Sequence, residues 1–433
     1  MRLFACFPSS PVPLSLIVFL TLLGARGMSA ADAPTAAPLT LPQTLALTAE
    51  RHPALAAQAF AERAAAGLVE QAAARPPPTL EASLENVLGT GRVQGVRSLE
   101  ATVQASQTFE RGGKREKRVA VATRERDIAA QEFAVRRTEL LAASATAYLS
   151  AVAAHQRLAL AVEPLELARA TLAALDTRAR SGAASTIETS RARAAVIAAE
   201  ADHARAAAAF AAATTALAAT WGGDSGEITS LTGSLRLPDT LPAEAPLRAA
   251  LAAHPRLALQ SAIIASRRAS LAFAQAQATG DVTASGGIRF LRDGTDAAFV
   301  AGLSMPLPTK HQNQGNIRAA RETLAGAEQS VRAVEAELRT AFALAWQDLT
   351  AAHALAGQLR RSALPATEEA HAAVRRAYAE GSLPLVDVLD ARRALIGVRR
   401  ELLDAEVAYA LALVRLEALT APTFPLTTAL LAP

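Results

Sequence analysis

The second half of this 433-residue chain repeats the first half at a spacing of about 200 residues. Two landmarks recur, a His-Pro pair and a glycine followed six residues later by an acid: His52-Pro53 and His254-Pro255, then Gly182/Glu188 and Gly381/Asp387. In each copy the pattern predicts a hairpin of strands and then a hairpin of very long helices. A repeated unit of this kind is typical of a wall or a tube rather than of an enzyme.

Composition favours long helices over a conventional globular core. Apolar residues make up 51% of the chain, but aromatic residues make up only 4%. Alanine is the commonest apolar residue, and it is both the best helix former and small enough to let helices approach closely. Long helices packed through small side chains are therefore expected.

Residues 1–31 have the features of a secretory signal peptide. Arg2 supplies the positive end, Leu14–Leu23 is an apolar run, and Ser29-Ala30-Ala31 offers a small-residue cleavage site. A membrane anchor is the alternative, but the run is short for a spanning helix. The single cysteine, Cys6, would be removed with the signal peptide, which suits an oxidising compartment.

No other stretch approaches the roughly 20 apolar residues of a transmembrane helix, so any membrane-embedded part must consist of strands. The formal net charge of +4 is too small to indicate nucleic acid. The basic cluster at residues 111–118 is expected to lie beside solvent or lipid headgroups, and no nucleic-acid partner is predicted.

The first repeat is predicted over residues 32–221. It begins with a helix at 41–74, interrupted near Pro53, and continues with strands within about 79–110. Each strand is about ten residues long, enough to cross a bilayer when tilted. Long helices follow over about 114–221, the first covering 114–180, and Pro164 is expected to kink or break it.

A Gly/Pro/Thr-rich connector is predicted at residues 222–246, followed by the second repeat at 247–433. Its elements are a helix at about 245–278, strands at about 281–307 and helices at about 315–419, with Pro365 in the place of Pro164. The last helix carries a seven-residue repeat, which predicts left-handed coiled-coil packing: Val388, Leu395, Leu402, Tyr409 and Leu416.

The motifs of common enzyme classes are absent from the sequence. There is no Gly-rich phosphate loop, no nucleophile elbow and no His-Glu-x-x-His pair. The seven histidines are dispersed, and His203 falls on a helix seam, where a packing role is expected. We therefore predict no catalytic, cofactor or metal site, and no enzymatic activity.

Asp387 and Asp390 lie three residues apart near the start of the last predicted helix. This spacing lets both carboxylates project from the same side of the helix, away from the packed seam. A second explanation is that the acids stabilise the positive end of the helix dipole. The spacing leaves both explanations open.

The segment Tyr378–Arg392 resembles the helix-tip signature of the TolC family of outer membrane efflux channels. The shared pattern is Tyr-x-x-Gly-x-x-x-x-x-Asp-Val-Leu-Asp-Ala. The duplicated order of strand and helix pairs extends the resemblance over most of the chain. Residues Gln107–Arg115, and the connector after Trp221-Gly222, are similar to the heavy-metal, CzcC-like branch of this family.

The resemblance implies a mainly α fold with a β-barrel portion. Three chains would form a twelve-stranded outer membrane barrel, continuous with a periplasmic tunnel of coiled-coil helices. The implied location is the outer membrane of a Gram-negative bacterium, in contact with its lipid. The implied partners are a periplasmic adaptor protein and an inner-membrane pump of the RND type, which together would export divalent heavy-metal cations.

The resemblance also assigns roles to residues at the helix tips. Asp387 and Asp390 match the acids that line the periplasmic aperture, Tyr378 matches a residue that helps to hold it shut, and Glu188 occupies the equivalent place in the first copy. The implied adaptor-docking residues are Ser181, Gly182, Ala183, Glu380, Gly381, Ser382 and Leu383. Two features depart from the family: Leu383 replaces an arginine found in some members, and aromatic residues are scarce near the strands.

Other functions remain open at the level of the sequence. Within the channel class, the cargo could be drugs, or proteins exported by a type I secretion system. A periplasmic coiled-coil scaffold or adaptor without a pore is the alternative in another class, and the apolar face of the strands argues against it. A secreted enzyme would need a cluster of catalytic residues that the sequence lacks.

Overall fold

The computed structural model describes residues 38–182, 184–235, 237–292, 296–307, 313–420 and 423–431. The predicted signal peptide and Ala183 lie outside the described residues. The rest is mostly helical with one small sheet, and its elements are α1 (Leu41–Arg51), α2 (Pro53–Ala73), β1 (Thr79–Glu85), β2 (Glu100–Phe109), α3 (Lys114–Arg180), α4 (Thr186–Ala219), α5 (Glu244–Ala250), α6 (Pro255–Ala276), β3 (Val282–Leu291), β4 (Asp296–Ser304), α7 (Gln314–Gln358), α8 (Leu364–Ala379), α9 (Leu385–Thr420) and α10 (Pro425–Leu430).

The His-Pro pairs stop one helix and start the next in both copies. His52 and His254 have extended backbone and act as N-caps, and their Nδ1 atoms accept hydrogen bonds from main-chain N–H groups two residues later, at 3.0 and 3.1 Å. The single helix predicted at 245–278 is therefore wrong. A residue before proline avoids the helical region, which separates α5 and a 3₁₀ turn from α6.

The two copies treat the shared proline differently. α3 is one helix of 67 residues that continues through Pro164, so the break that we considered there does not occur. The buried residues Ala161 and Leu165 pack on either side of the proline and hold the helix in place. In the second copy a π-turn at Leu359–Ala363 precedes Pro365 and separates α7 from α8. A π-turn adds one residue to the helical ladder and relieves the clash of the proline ring.

The strands form one antiparallel sheet in the order β1-β2-β3-β4. β2 of the first copy pairs with β3 of the second over ten residues, from Glu100 opposite Leu291 to Phe109 opposite Val282. β1 and β4 are the edge strands, and neither has a second strand beside it among the described residues. β1 has seven residues, fewer than the ten expected.

Side chains of opposite character occupy the two faces of the sheet. In the paired register, one face is apolar apart from Gln107, and its apolar residues include Leu80, Ala82, Leu84, Ala101, Val103, Ala105, Gly286, Ile288, Phe290, Ala297, Phe299, Ala301 and Leu303. Phe299 is 78% exposed and Leu303 77%. The other face carries most of the charged and hydroxyl side chains, including Glu81, Glu85, Glu100 and Arg289. A water-soluble hairpin would bury its apolar face, and this one remains exposed.

The core lies at mid-height in the helical region, in two clusters of buried residues. One surrounds Tyr148 on α3 and includes Trp221 and Phe424, and the other surrounds Phe342 on α7 and includes Tyr409 on α9. The Tyr148 hydroxyl lies 2.9 Å from the main-chain oxygen of Leu39 and 2.5 Å from that of Thr232, so it joins both the start of the described chain and the connector to α3. The buried aromatic side chains of the described residues all belong to these two clusters.

Both helical hairpins point in the same direction. Arg157 on α3 pairs with Asp404 on α9 at 2.6 Å, and Glu163 on α3 pairs with Arg392 on α9 at 3.4 Å. Because the partner number falls along α9 as it rises along α3, the two helices run antiparallel. The end of α3 and the start of α9 therefore lie at the same end of the molecule, far from the sheet.

Candidate functional site

The two helical hairpins turn at a glycine in the left-handed conformation. Gly182 has φ +74° after α3, and Gly381 has φ +77° after α8. At the second tip the N–H of Gly381 donates to the oxygen of Tyr378 at 3.0 Å, and the N–H of Ser382 donates to that of Ala377 at 2.9 Å. These bonds satisfy the last carbonyls of α8, and only glycine adopts this backbone without strain.

The predicted tip residues are exposed, as a docking surface requires. Ser181, Gly182, Glu380, Gly381 and Ser382 are exposed and Leu383 is half-buried. Ala183 lies outside the described residues. Neither glycine has another atom close to the place of a missing side chain, so both tips have open space around them.

Asp387 and Asp390 occupy different places at the start of α9. Asp387 is half-buried in the first turn, where a carboxylate favours the positive end of the helix. Asp390 is the sixth residue of α9 and is exposed, so the helix-dipole explanation covers Asp387 alone. The carboxylate of Asp390 pairs with Arg393 one turn later at 2.7 Å.

Glu188 belongs to a capping box at the start of α4. Its Oε2 accepts from the N–H of Ser185 at 2.8 Å, and its own N–H donates to the Ser185 hydroxyl at 3.2 Å. The Ser185 N–H lowers the pKa of the Glu188 carboxyl from its usual value, so Glu188 is negatively charged at neutral pH. The structure gives this residue a local role in starting the helix, which the sequence reading had not identified.

Tyr378 lies in the last turn of α8 and is half-buried. Its main-chain oxygen accepts the hydrogen bond from Gly381 that closes the tip. Tyr378 is therefore next to the turn and on the hairpin that carries the two aspartates. An aperture role for Tyr378, Asp387, Asp390 and Glu188 stays a prediction.

A network of ion pairs that the sequence reading missed joins α3 to α8 and α9. Glu163 accepts from Arg392 at 3.4 Å and from Arg399 at 3.3 Å, and Arg399 also pairs with Glu368 at 3.1 Å. We call Glu163, Glu368, Arg392 and Arg399 the clasp. Glu163 and Arg392 are 229 positions apart in the chain, and no motif surrounds Glu163 that could have indicated the pairing.

Arg392 is the most buried member of the clasp. Its side chain is 14% exposed, and one nitrogen also donates to the main-chain oxygen of Glu163 at 3.2 Å. Burial lowers the pKa of the Arg392 guanidinium from its usual value, and Glu163 opposes that change. Glu163 is thus the counter-ion of a largely desolvated cation, but the Glu163 side chain is itself 61% exposed, so each pair is expected to contribute about as much as a surface ion pair.

Chemistry beyond ion pairing is not evident in the described residues. They contain no group of three or more His, Cys, Asp or Glu side chains that could hold a metal ion. Among the same residues, none of the helices is both long enough and apolar enough to cross a membrane. His203, the histidine on the predicted seam, is half-buried in α4.

Comparison with known proteins decides the family. The model of the outer membrane efflux protein family matches residues 44–223 and 247–421, which are the two halves of the duplication. The chain belongs to the outer membrane efflux protein family. This efflux protein is therefore an outer membrane protein of the TolC-like type, as the tip signature predicted.

This efflux protein is similar to two metal-resistance proteins of Cupriavidus metallidurans. The cobalt-zinc-cadmium resistance protein CzcC is 29% identical over 364 residues, which cover 84% of this chain and 85% of the relative. The nickel and cobalt resistance protein CnrC is 36% identical over 314 residues, which cover 72% of each chain. The resemblance to the heavy-metal branch is confirmed.

A solved structure shows the same fold in this efflux protein. The outer membrane channel CmeC of Campylobacter jejuni superposes with a TM-score of 0.73 at 14% identity, over 88% of this chain and 86% of that one. Proteins of this family are transport channels rather than enzymes, and in tripartite pumps they act as trimers with adaptor and inner-membrane partners.

Proposed function

We propose that three copies of this chain form an outer membrane channel that exports divalent heavy-metal cations. The observation that carries the proposal is the four-stranded sheet, which has one face that is apolar apart from Gln107 and, among the described residues, two open edges. An open sheet edge is not viable in lipid. Three sheets of four strands, joined edge to edge, would give a closed barrel of twelve with an apolar exterior and a polar lumen.

The helices support the same assembly. α2, α3, α6 and α7 contact one another in that order, and α4, α3, α9 and α8 do so nearer the tips. The helices at the two ends of each row are α2 and α7 in the first row and α4 and α8 in the second. Each of these end helices has a side on which a neighbouring copy could pack. In this proposal residues 1–31 direct export and are removed, and the repeats at 32–221 and 247–433, joined by 222–246, form equivalent parts of the wall.

The names of the relatives support heavy metals as the cargo. A channel of this kind takes what its pump delivers, so the cargo need not be bound by the wall. The inferred partners are a periplasmic adaptor, which contacts the exposed tips at 181–183 and 380–383, and an inner-membrane pump of the RND type. Docking at the tips would separate the hairpins and open the aperture.

A strain that lacks the gene tests the cargo directly. We expect selective loss of growth in zinc, cobalt, cadmium or nickel, with little change toward dyes and antibiotics, and full rescue by the intact gene. The measurement is the minimal inhibitory concentration across both panels. Sensitivity to organic compounds alone would contradict the metal assignment and indicate multidrug efflux.

Replacing Asp387 and Asp390 together by Asn tests the aperture. Three copies would place six carboxylates around the opening, and a ring of this kind concentrates cations by tenfold or more. We expect the Zn²⁺ concentration that blocks single channels in planar bilayers to rise by about tenfold in D387N/D390N.

A variant with the opposite expected effect on Zn²⁺ block serves as the control. Arg393→Gln removes the partner of Asp390, so it should lower the blocking concentration of Zn²⁺. Unchanged block in D387N/D390N would show that these acids do not line the narrowest part of the channel.

A further inference from the structure

Arg111 lies where the apolar face of the sheet ends. It follows β2 by two residues, on the side from which the chain enters α3. The main-chain N–H of Arg111 donates to Oδ1 of Asp281 at 3.1 Å, and one guanidinium nitrogen lies 3.2 Å from the sulfur of Met305. Because Met305 continues the alternation of Phe299 and Leu303, the Arg111 guanidinium lies on the apolar side of the sheet.

Large apolar side chains surround this position and remain exposed. Phe109 is 57% exposed, Met305 45% and Leu307 78%. In the proposed barrel these side chains would meet the acyl chains of the lipid. A guanidinium just beyond an apolar band is at the depth of the phospholipid headgroups, where arginine is favoured. Since the chain continues from here into the helical region, the leaflet is the periplasmic one.

Three of the nearby cations have partners within the protein, whereas Arg111 has no acidic partner among the described residues. Lys114 pairs with Asp281 at 2.8 Å, and Arg118 pairs with Glu110. Arg115 donates to the main-chain oxygen of Ala73 at the end of α2. Among the described residues, no carboxylate lies within 4.0 Å of the Arg111 guanidinium, whose recorded contact is the weak acceptor of Met305.

We propose that the Arg111 guanidinium binds the phosphate of an anionic phospholipid in the periplasmic leaflet. The acyl chains would lie on Phe109, Met305 and Leu307, and the bond between Arg111 N–H and Asp281 holds the residue in place. A guanidinium matches a phosphate because it offers two parallel N–H donors. This inference depends on the proposed barrel, because a protein outside the membrane has no leaflet to contact.

The test is a lipid titration of the full-length channel in detergent, with bound lipid counted by native mass spectrometry. We expect the wild-type channel to bind phosphatidylglycerol more tightly than zwitterionic phosphatidylcholine. Arg111→Gln should weaken phosphatidylglycerol binding about fivefold and leave phosphatidylcholine binding unchanged. Arg111→Lys, which keeps the charge, should retain most of the preference.

Lys117→Gln is the matched control, because Lys117 is an exposed cation of the same basic segment. Equal binding of phosphatidylglycerol by wild type and R111Q would overturn the proposal, and so would an equal loss in K117Q. Displacement of the lipid by soluble glycerol phosphate would overturn the commitment to a membrane lipid.

Reconstitution into phosphatidylcholine vesicles separates the two proposals. If the wild-type chain forms no channels there, the proposed function fails. If both the wild type and R111Q form channels but bind phosphatidylglycerol with equal affinity, only this inference fails.

Discussion

Glu163→Gln is expected to open the periplasmic end of the channel in the absence of any partner protein. Glu163 accepts hydrogen bonds from Arg392 and Arg399, and it is the counter-ion that holds α3 of the first repeat to α9 of the second. Without its charge, α3 and the α8/α9 hairpin lose the two ion pairs that Glu163 makes between them. The hairpins would then separate more readily at the tips.

The solvent exposure of the Glu163 ion pairs sets how much free energy they contribute to the closed state. The Glu163 side chain is 61% exposed, so each pair contributes about 0.2–1 kcal/mol. Two pairs in each of three copies give a total of about 1–6 kcal/mol if the copies open together. Since Gln still accepts a hydrogen bond from Arg392, we take the lower end. The ratio of open to closed channels should rise by at least about fivefold.

Single-channel recording in planar bilayers measures this ratio as open probability. Glu166→Gln is the matched control, because Glu166 is an exposed acid one turn later on α3 and the change in charge is the same. We expect E166Q to behave as the wild type. An E163Q channel with wild-type open probability would show that the clasp does not hold the closed state.

The groove beside the clasp gives the hairpins room to move. It has a volume of about 360 Å³ and lies between α3, α4 and α9, lined by alanines such as Ala195 and Ala199 with Leu389 and Ile396 opposite. Small side chains leave this space, so a hairpin can shift there without a clash. The clasp therefore lies beside a gap in the packing of α3, α4 and α9.

Phe342→Ala is expected to lower the free energy of unfolding more than any other substitution proposed for this protein. The Phe342 ring is 1% exposed, stacks on Trp346 with a centroid separation of 6.3 Å, and has the Arg248 guanidinium 5.5 Å from its centroid. Removing a buried phenyl ring costs about 3–5 kcal/mol, because the cavity that remains is only partly filled. Few other aromatic rings are available to compensate in a core that consists largely of alanine and leucine.

Thermal unfolding of the detergent-solubilised protein, followed by circular dichroism, measures the effect. We expect the midpoint to fall by about 5 °C or more in F342A. Leu344→Ala is the matched control, since Leu344 lies on the same helix, is 58% exposed, and should cost less than about 1 kcal/mol. Equal midpoints for F342A and L344A would contradict the position of Phe342 in the core.

Local patterns were sufficient for the long elements and the helix tips. The seven-residue repeat predicted a helix from Lys114 to Arg180, and α3 has these ends. Period-two alternation located the strands and their apolar face, because the two faces of a strand are visible in the sequence. The glycines at 182 and 381 indicated the turns, since a left-handed residue must end each helix.

Local patterns did not reveal every local contact or the way in which each proline is accommodated. The capping box with Ser185 gives Glu188 a role at the start of α4, and the aperture role suggested by its alignment with Asp387 stays a prediction. The proline repeated at 164 and 365 lies within an uninterrupted helix in one copy and after a π-turn in the other. Repeated residues therefore do not guarantee repeated structure, because their tertiary neighbours differ.

The sequence by itself determined the duplication, the helix and strand pattern, the tip motif and the family, because each of these is recognised from short patterns of residues that are neighbours along the chain. Only the tertiary structure decided what each charged side chain contacts. Glu163 pairs with Arg392, Arg118 donates to the main chain at the end of α2, and Arg111 lies against the sulfur of Met305. These pairs are 229, 46 and 194 positions apart. Contacts over such separations depend on how the helices and strands pack, and no local period records that packing.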